Sequence, residues 1–368
     1  MVRARDLGIV IGQLPPGELN AITDVAGVRV GHTTLIRGDG PLRVGEGPVR
    51  TGVTVIFPHE GDPGREPVYA GDHVLNGNGE MTGLLWLREC GMLTTPIGLT
   101  NTHSVGTVHE ALVAASTAGR AAGSATWALP VVAETWDGYL NDIDGQHVRR
   151  EHVFEAIAAA SGGPVAEGSV GGGTGMKAFG FKAGIGTASR VVASGPERWT
   201  LGALVQANHG IRERLTIDGV PVGREIGRSE VPGPDRMVAG SIIVIIGTDA
   251  PLLPHQCRRL AQRASLGVAR GGGGGESSSG DLMLAFAIGN RGLSAEDAPD
   301  APRVVAVRTV HDDFLDNLYW AAIEATEEAI LNALLAAETM TGRDGTTFHA
   351  LPHDRLVEVM RHHGRPAR

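Results

Sequence analysis

The chain has 368 residues, of which 42% are hydrophobic and 20% charged, so a packed core is expected and global disorder is not. A net charge of −9 without a basic block, and only 4% aromatic residues, exclude nucleic acid and anionic membrane surfaces as main partners. No apolar stretch reaches the roughly 20 residues of a membrane span. The N-terminal apolar run is too short, and Asp6 too near it, for a signal peptide, so a cytoplasmic location is expected. The 54 glycines are about twice the usual share of roughly 7% and follow no collagen period, which points to many tight turns. The two cysteines, Cys90 and Cys257, lack metal-ligand spacing, so buried free thiols are expected, not a disulfide or zinc site.

Along the chain, β-branched runs alternate with helical patterns. VTVIFPH (residues 53–59) reads as a strand, after an irregular glycine-bearing loop near residue 40. SVGTVHEALVAASTAG (104–119) and REHVFEAIAAASGG (150–163) read as helices. LGALVQANHG (201–210) and GSIIVIIGTDA (240–250) are strands, and LPHQCRRLAQRASLGVAR (253–270) is a helix. Then GGGGGESSSGDLMLAFAIGN (271–290) joins five glycines and three serines to a buried strand. An acidic loop at 290–303 and a strand at 304–308 precede the clearest helix, 316–340. Its apolar residues recur three and four apart, from Leu318 through Ile323 and Ile330 to Leu334. A short helix closes the chain. Strand, loop, strand and long helix after the glycine run read as part of a shared sheet, not as a separate domain.

The common catalytic patterns are absent. No Gly-Lys-Ser/Thr follows a glycine loop, and GGGTGMKAFGFKAGIGTASR (171–190) misses dinucleotide spacing. His109-Glu110 lacks the second histidine of a zinc protease, and Glu276 stands where a nucleophile elbow needs glycine. One chemistry suits residues 271–290. A chain can cut itself before a serine, whose hydroxyl then attacks substrates with its own α-amine as base. That amine has a reference pKa of about 7.7–8.0, so part of it is neutral at working pH. Such a nucleophile needs a rigid strand behind it and a loose, bendable segment before it. Ser279, at the head of GDLMLAFAIG, meets both requirements; a plain polar turn at 277–279 is the other reading.

The ordered motifs, from LNAITDVAGVRVGHTTL (19–35) to TGRDGTTFHALPHDRLVEVM (341–360), run along nearly the whole chain. They include LNGNGEMTGLLWLRECG, PIGLTNTHSVGTV, VVAETWDGYLNDI, LVQANHG, SSSGDLMLAFAIGN and EATEEAILNAL. This series resembles the L-aminopeptidase/D-esterase and β-aminopeptidase family of self-processing N-terminal serine hydrolases. The resemblance implies an α+β fold, an α-β-β-α four-layer sandwich of two packed mixed sheets flanked by helices. It implies one domain spanning 1–368, cut between Ser278 and Ser279 into chains 1–278 and 279–368. Ser279 would be the nucleophile and Asn208 the oxyanion donor.

Glu327 would orient the nucleophile and its amine. On the helix pattern Glu327 faces the buried side and Glu328 the more open one. A serine that family members can carry two residues earlier is Ala325 here, leaving Thr326 as the candidate hydroxyl. Glu134 would receive the substrate's free amine. Trp136 stands where members often have tyrosine and would shape the pocket, since an indole N–H donates but does not accept. The substrate would be a small peptide or an amino-acid amide or ester, without metal or organic cofactor. The assembly would be a homo-oligomer, a tetramer of cleaved heterodimers. A self-cleaving acyltransferase of the ornithine acetyltransferase kind and a non-cleaving, non-enzymatic homologue are the alternatives.

Overall fold

The structure, a computed structural model, describes residues 1–118, 127–234, 240–294 and 303–367. In chain order, β1 (Arg29–Arg37), β2 (Val49–Phe57) and β3 (Val68–Gly77) precede helix α1 (Leu84–Cys90). Then come β4 (Met92–Leu93), β5 (Ile97–Asn101), α2 (Val105–Thr117), β6 (Val131–Thr135) and α3 (Arg150–Ala159). Short strands β7 (Lys177–Ala178) and β8 (Phe181–Lys182) lead into β9 (Ile185–Ser194) and β10 (Glu197–Asn208). Helix α4 (Val222–Glu225), β11 (Ser241–Thr248) and α5 (Pro254–Arg270) follow. β12 (Gly280–Ala287), α6 (Asp316–Leu335), β13 (Met340–Thr341), β14 (Thr347–Phe348) and α7 (His353–His362) complete the chain.

Two mixed sheets form the centre, in the orders β1-β2-β5-β6 and β4-β3-β12-β11-β10-β9. The pairs β5–β6 and β11–β12 are parallel; the other pairs are antiparallel. The period-2 alternation of a strand explains the layering. On β11, Ile243 and Ile245 turn into the core between the sheets, while Ile242, Val244 and Ile246 turn to the helices outside. On β12, Leu282, Leu284 and Phe286 face inward between the sheets, and Met283, Ala285 and Ala287 face the helices. Both strands are apolar on both faces, which is why they read as continuous hydrophobic runs. Helices α2 and α3 cover the outer face of the first sheet through Val108, Leu112 and Val153. Helices α5, α6 and α7 cover the second through Leu260, Ile330 and Leu356. This is the α-β-β-α sandwich.

β12 is an interior strand, hydrogen-bonded to β3 on one side and β11 on the other. The part of the chain after residue 278 is therefore woven into the second sheet, as the shared-sheet reading required. Two expectations change. Residues 304–308 form no strand: Val304 is 84% exposed, and the run pairs with no strand among the described residues. β-branched content alone does not make a strand without a partner to pair with. Cys257 is buried and free, but Cys90, at the end of α1, is only half-buried. Most of the expected acidic loop at 290–303 lies outside the described residues.

Candidate active site

The three serines before β12 differ sharply in environment. Ser277 is exposed, Ser278 half-buried, and Ser279 only 1% exposed. Ser279 and Asp281 are two apart on an extended chain, so their side chains share a face. The Ser279 hydroxyl donates to Asp281 Oδ1 at 2.6 Å. The Ser279 amide N–H donates to the Glu276 carbonyl at 2.7 Å. The Gly280 N–H donates to Ser241 Oγ at 3.1 Å, tying the start of β12 to β11. The end of β3 and the loop after it grip the junction from the other side. Asn76 Nδ2 donates to the carbonyls of Glu276, at 3.0 Å, and of Ser279. Asn78 Nδ2 donates to the Ser278 carbonyl at 2.8 Å. Gly280 permits this approach: a Cβ there would lie 2.6 Å from the Asn78 carbonyl oxygen.

The glycine run is not the loose linker that its composition suggested. Gly271 and Gly273 are buried. Gly272 has φ +100°, and a Cβ on it would sit 2.0 Å from the Arg214 carbonyl oxygen. Glycine is needed here for close backbone packing, not for freedom. Only Gly274 in the run is exposed.

Ser278 lines a cavity of about 490 Å³ that also contains Glu134, Trp136, Tyr139, Lys177 and Asn208. Glu134 ends β6. It is 3% exposed, with Oε1 accepting from the Glu80 N–H at 3.0 Å and Oε2 accepting from the Thr102 hydroxyl. Burial pushes its pKa up, against these two hydrogen bonds. Asn208 ends β10. Its Oδ1 accepts from the Lys177 N–H at 3.0 Å, and its Nδ2 donates to the Trp136 carbonyl at 2.9 Å. Those two bonds fix the amide's orientation and leave the nitrogen a second N–H to offer. Trp136 is 39% exposed and stacks edge-on against Tyr139, with centroids 5.0 Å apart. Burial lowers the Lys177 pKa to about 8, against the attraction of Glu276. A larger cavity of about 720 Å³ lies between β3 and α5, around Asp72 and Arg88, and holds none of these residues.

The residues expected from α6 are not gathered here. Glu327 pairs with Arg270 at the end of α5; burial raises its pKa and the arginine opposes the rise. Glu328 was expected on the more open side, yet it is fully buried. It receives Arg190 Nη2 at 2.7 Å, Arg5 Nε at 2.9 Å and Asn20 Nδ2 at 2.6 Å. Glu327 is buried as expected, but so is Glu328, because α6 is covered all round from Leu318 to Leu335 except at Trp320, and helical periodicity does not tell one acid from the next. Thr326 does not supply the missing hydroxyl: it is buried beside Gly267 of α5, and its Oγ1 has no hydrogen-bond partner among the described residues. Glu328→Gln should therefore cost stability. The loss should be about 2–3 kcal/mol in urea unfolding, at the low end for a buried pair because Arg190 retains Glu324. An unchanged midpoint would refute this role.

Sequence reasoning missed Asp281, Asn78, Lys177 and Tyr139. Asp281 carried a readable signal, since a carboxylate two residues beyond a serine on a strand must share its face. The other three come from distant segments and carried none.

Comparison with known proteins agrees with this architecture. The family model described as Peptidase family S58 matches residues 20–348. A β-peptidyl aminopeptidase, BapA, of Sphingosinicella microcystinivorans is 48% identical over 377 residues, covering 99% of this chain and 93% of that protein. The solved structure of a Burkholderia β-aminopeptidase superposes with TM-score 0.92 at 55% identity, covering 99% of this chain and all of that one. That of an L-aminopeptidase D-Ala-esterase/amidase from Ochrobactrum anthropi gives 0.90 at 45% identity, covering 99% of both chains. The latter is described as a prototype serine aminopeptidase and a variant of the Ntn hydrolase fold. With the fold, the motif order and the match to most of its length in agreement, the chain belongs to peptidase family S58.

Proposed function

We propose that the protein is a self-processed serine aminopeptidase acting on small peptides, amides or esters that carry a free amine. The observation that supports this best is the junction of Ser278 with Ser279. It lies at the rigid head of β12, at the wall of a cavity holding a buried carboxylate and an oriented amide. Cleavage between Ser278 and Ser279 frees the Ser279 amine, which takes the hydroxyl proton as Oγ attacks the substrate carbonyl. Asn208 offers its second N–H to the tetrahedral oxyanion. The acyl-enzyme is then resolved by water. Glu134 holds the substrate ammonium, Trp136 and Tyr139 flank it, and Glu327 acts at a distance through Arg270, which leads into the glycine run.

Two of the relatives named above carry the names β-peptidyl aminopeptidase and β-aminopeptidase, so N-terminal β-aminoacyl amides are the first substrate class to test. A panel of free-amine and N-acetylated p-nitroanilides, of α- and β-amino type, tests the reading; equal turnover of blocked and free substrates would refute it. Glu134→Gln should raise KM for free-amine substrates about 10- to 100-fold, the worth of a charged hydrogen bond, while barely affecting blocked ones. Steady-state kinetics on both substrates checks this, and an unchanged ratio removes Glu134 from the amine site. We further propose a cytoplasmic tetramer of cleaved heterodimers. Native mass spectrometry should then give four copies of each fragment, and a monomeric mass would refute that assembly.

A further inference from the structure

We propose that Asp281 is the general base of the self-cleavage step, and that Asn78 holds the oxyanion formed in that step. This rests on the reading of Ser279 as a self-cleaving residue. The α-amine that serves as base in turnover does not exist before the cut. In the uncut chain the Ser279 nitrogen is a peptide nitrogen, and its N–H donates to the Glu276 carbonyl. An amide nitrogen has no proton affinity to use at neutral pH, so the first attack needs another acceptor.

The Ser279 hydroxyl has one at hand. It already donates to Asp281 Oδ1 at 2.6 Å, and both residues are buried, at 1% and 2% exposure. The electrophile is equally prepared. The Ser278 carbonyl oxygen accepts from Asn78 Nδ2 at 2.8 Å, so negative charge developing on that oxygen meets a donor already in place. The acids on the far side are engaged elsewhere: Glu134 with Thr102 and the Glu80 N–H, Glu327 with Arg270. Burial pushes the Asp281 pKa up to about 6, opposed by the serine hydrogen bond and assisted by the Glu276 charge. That brings its proton affinity nearer the working range of a base while leaving it ionised at neutral pH.

The balance is complete with water as co-reactant. Ser279 Oγ passes its proton to Asp281 and bonds to the Ser278 carbonyl carbon, and the oxyanion rests on Asn78. The carbon–nitrogen bond then breaks, and the Ser279 nitrogen takes the proton from Asp281, leaving an amine and an ester. Water adds to the ester carbon and releases the Ser278 carboxylate, the Ser279 hydroxyl and one proton, which passes to solvent. The new amine then takes over as base for substrates.

The test follows conversion of the full chain into residues 1–278 and 279–368 by denaturing mass spectrometry. Wild type, Ser279→Ala, Asp281→Asn, Asp281→Glu and Asn78→Ala are purified and compared over time. Circular dichroism confirms folding. Asp281→Asn should slow conversion by about 100-fold or more, and Asp281→Glu should recover part of the rate, which a space-filling role would not allow. Asn78→Ala should slow it by about 10-fold or more. Cutting of folded Asp281→Asn at the wild-type rate overturns the proposal. Should that variant fail to fold, Asn78→Ala at the exposed loop decides, and a wild-type rate there overturns the apparatus. A wild-type chain that stays intact, like Ser279→Ala, instead sinks the self-cleavage reading itself.

Discussion

Ser279→Ala is expected to give a single 38.3 kDa species under denaturing conditions and no turnover of free-amine p-nitroanilides. Two losses follow from one oxygen. The alanine has no hydroxyl to attack the Ser278 carbonyl, so the chain stays whole. Without cutting there is also no free α-amine, so neither nucleophile nor base is present for substrates. The fold should survive, because a hydroxyl-to-hydrogen change at a buried strand head opens little space. The one bond lost there is the bond to Asp281. The expected activity loss exceeds about 1,000-fold, by analogy with removal of a serine nucleophile. Mass spectrometry and a melting curve on the same sample separate loss of chemistry from loss of structure. Residual hydrolysis above a few per cent in folded Ser279→Ala would remove Ser279 from the mechanism.

Asn208→Ala should lower kcat by about 100- to 1,000-fold, corresponding to about 2.7–4 kcal/mol of lost transition-state stabilisation. The effect should fall on kcat more than on KM, since an oxyanion donor binds charge that develops only in the transition state. The amide is well placed for such a role because both of its ends are anchored, to Lys177 N–H and to the Trp136 carbonyl. A preorganised donor loses little entropy when the charge appears. The alanine also orphans the Lys177 N–H, a cost of about 1–3 kcal/mol in stability. Kinetics are therefore to be run well below the melting midpoint. A kcat within threefold of wild type would eliminate Asn208 as the donor.

Much of this was readable in the chain. The runs that became β2, β10 and β11 and the helices α2, α3, α5 and α6 were visible because their periods match one structure and their ends carry turn residues. The αββα layering followed from the resemblance, and the alternation on β11 and β12 explains it physically. The misreadings share a cause. Residues 304–308 look like a strand, but pairing depends on a neighbour that the run itself does not specify. Glu327 and Glu328 differ by about 100° on α6, yet that helix is buried on nearly every side, so an apolar face was no guide to which acid sits deepest. The glycines of 271–275 look flexible in isolation, and at Gly272 they are required instead by the backbone of residue 214.

The sequence alone determined where the long strands and helices fall and which of the three serines stands at the head of the buried strand. Those are local properties, set by the two-residue period of a strand and by side-chain volume. Only the tertiary structure decided what meets that serine's neighbourhood. Asn78 reaches the Ser278 carbonyl across 200 residues of chain, and Glu134 and Asn208 converge on one cavity from different sheets. Contacts of that kind are fixed by strand order and by the packing of two sheets, where the energy of each pairing depends on every other. No short stretch of the chain records them.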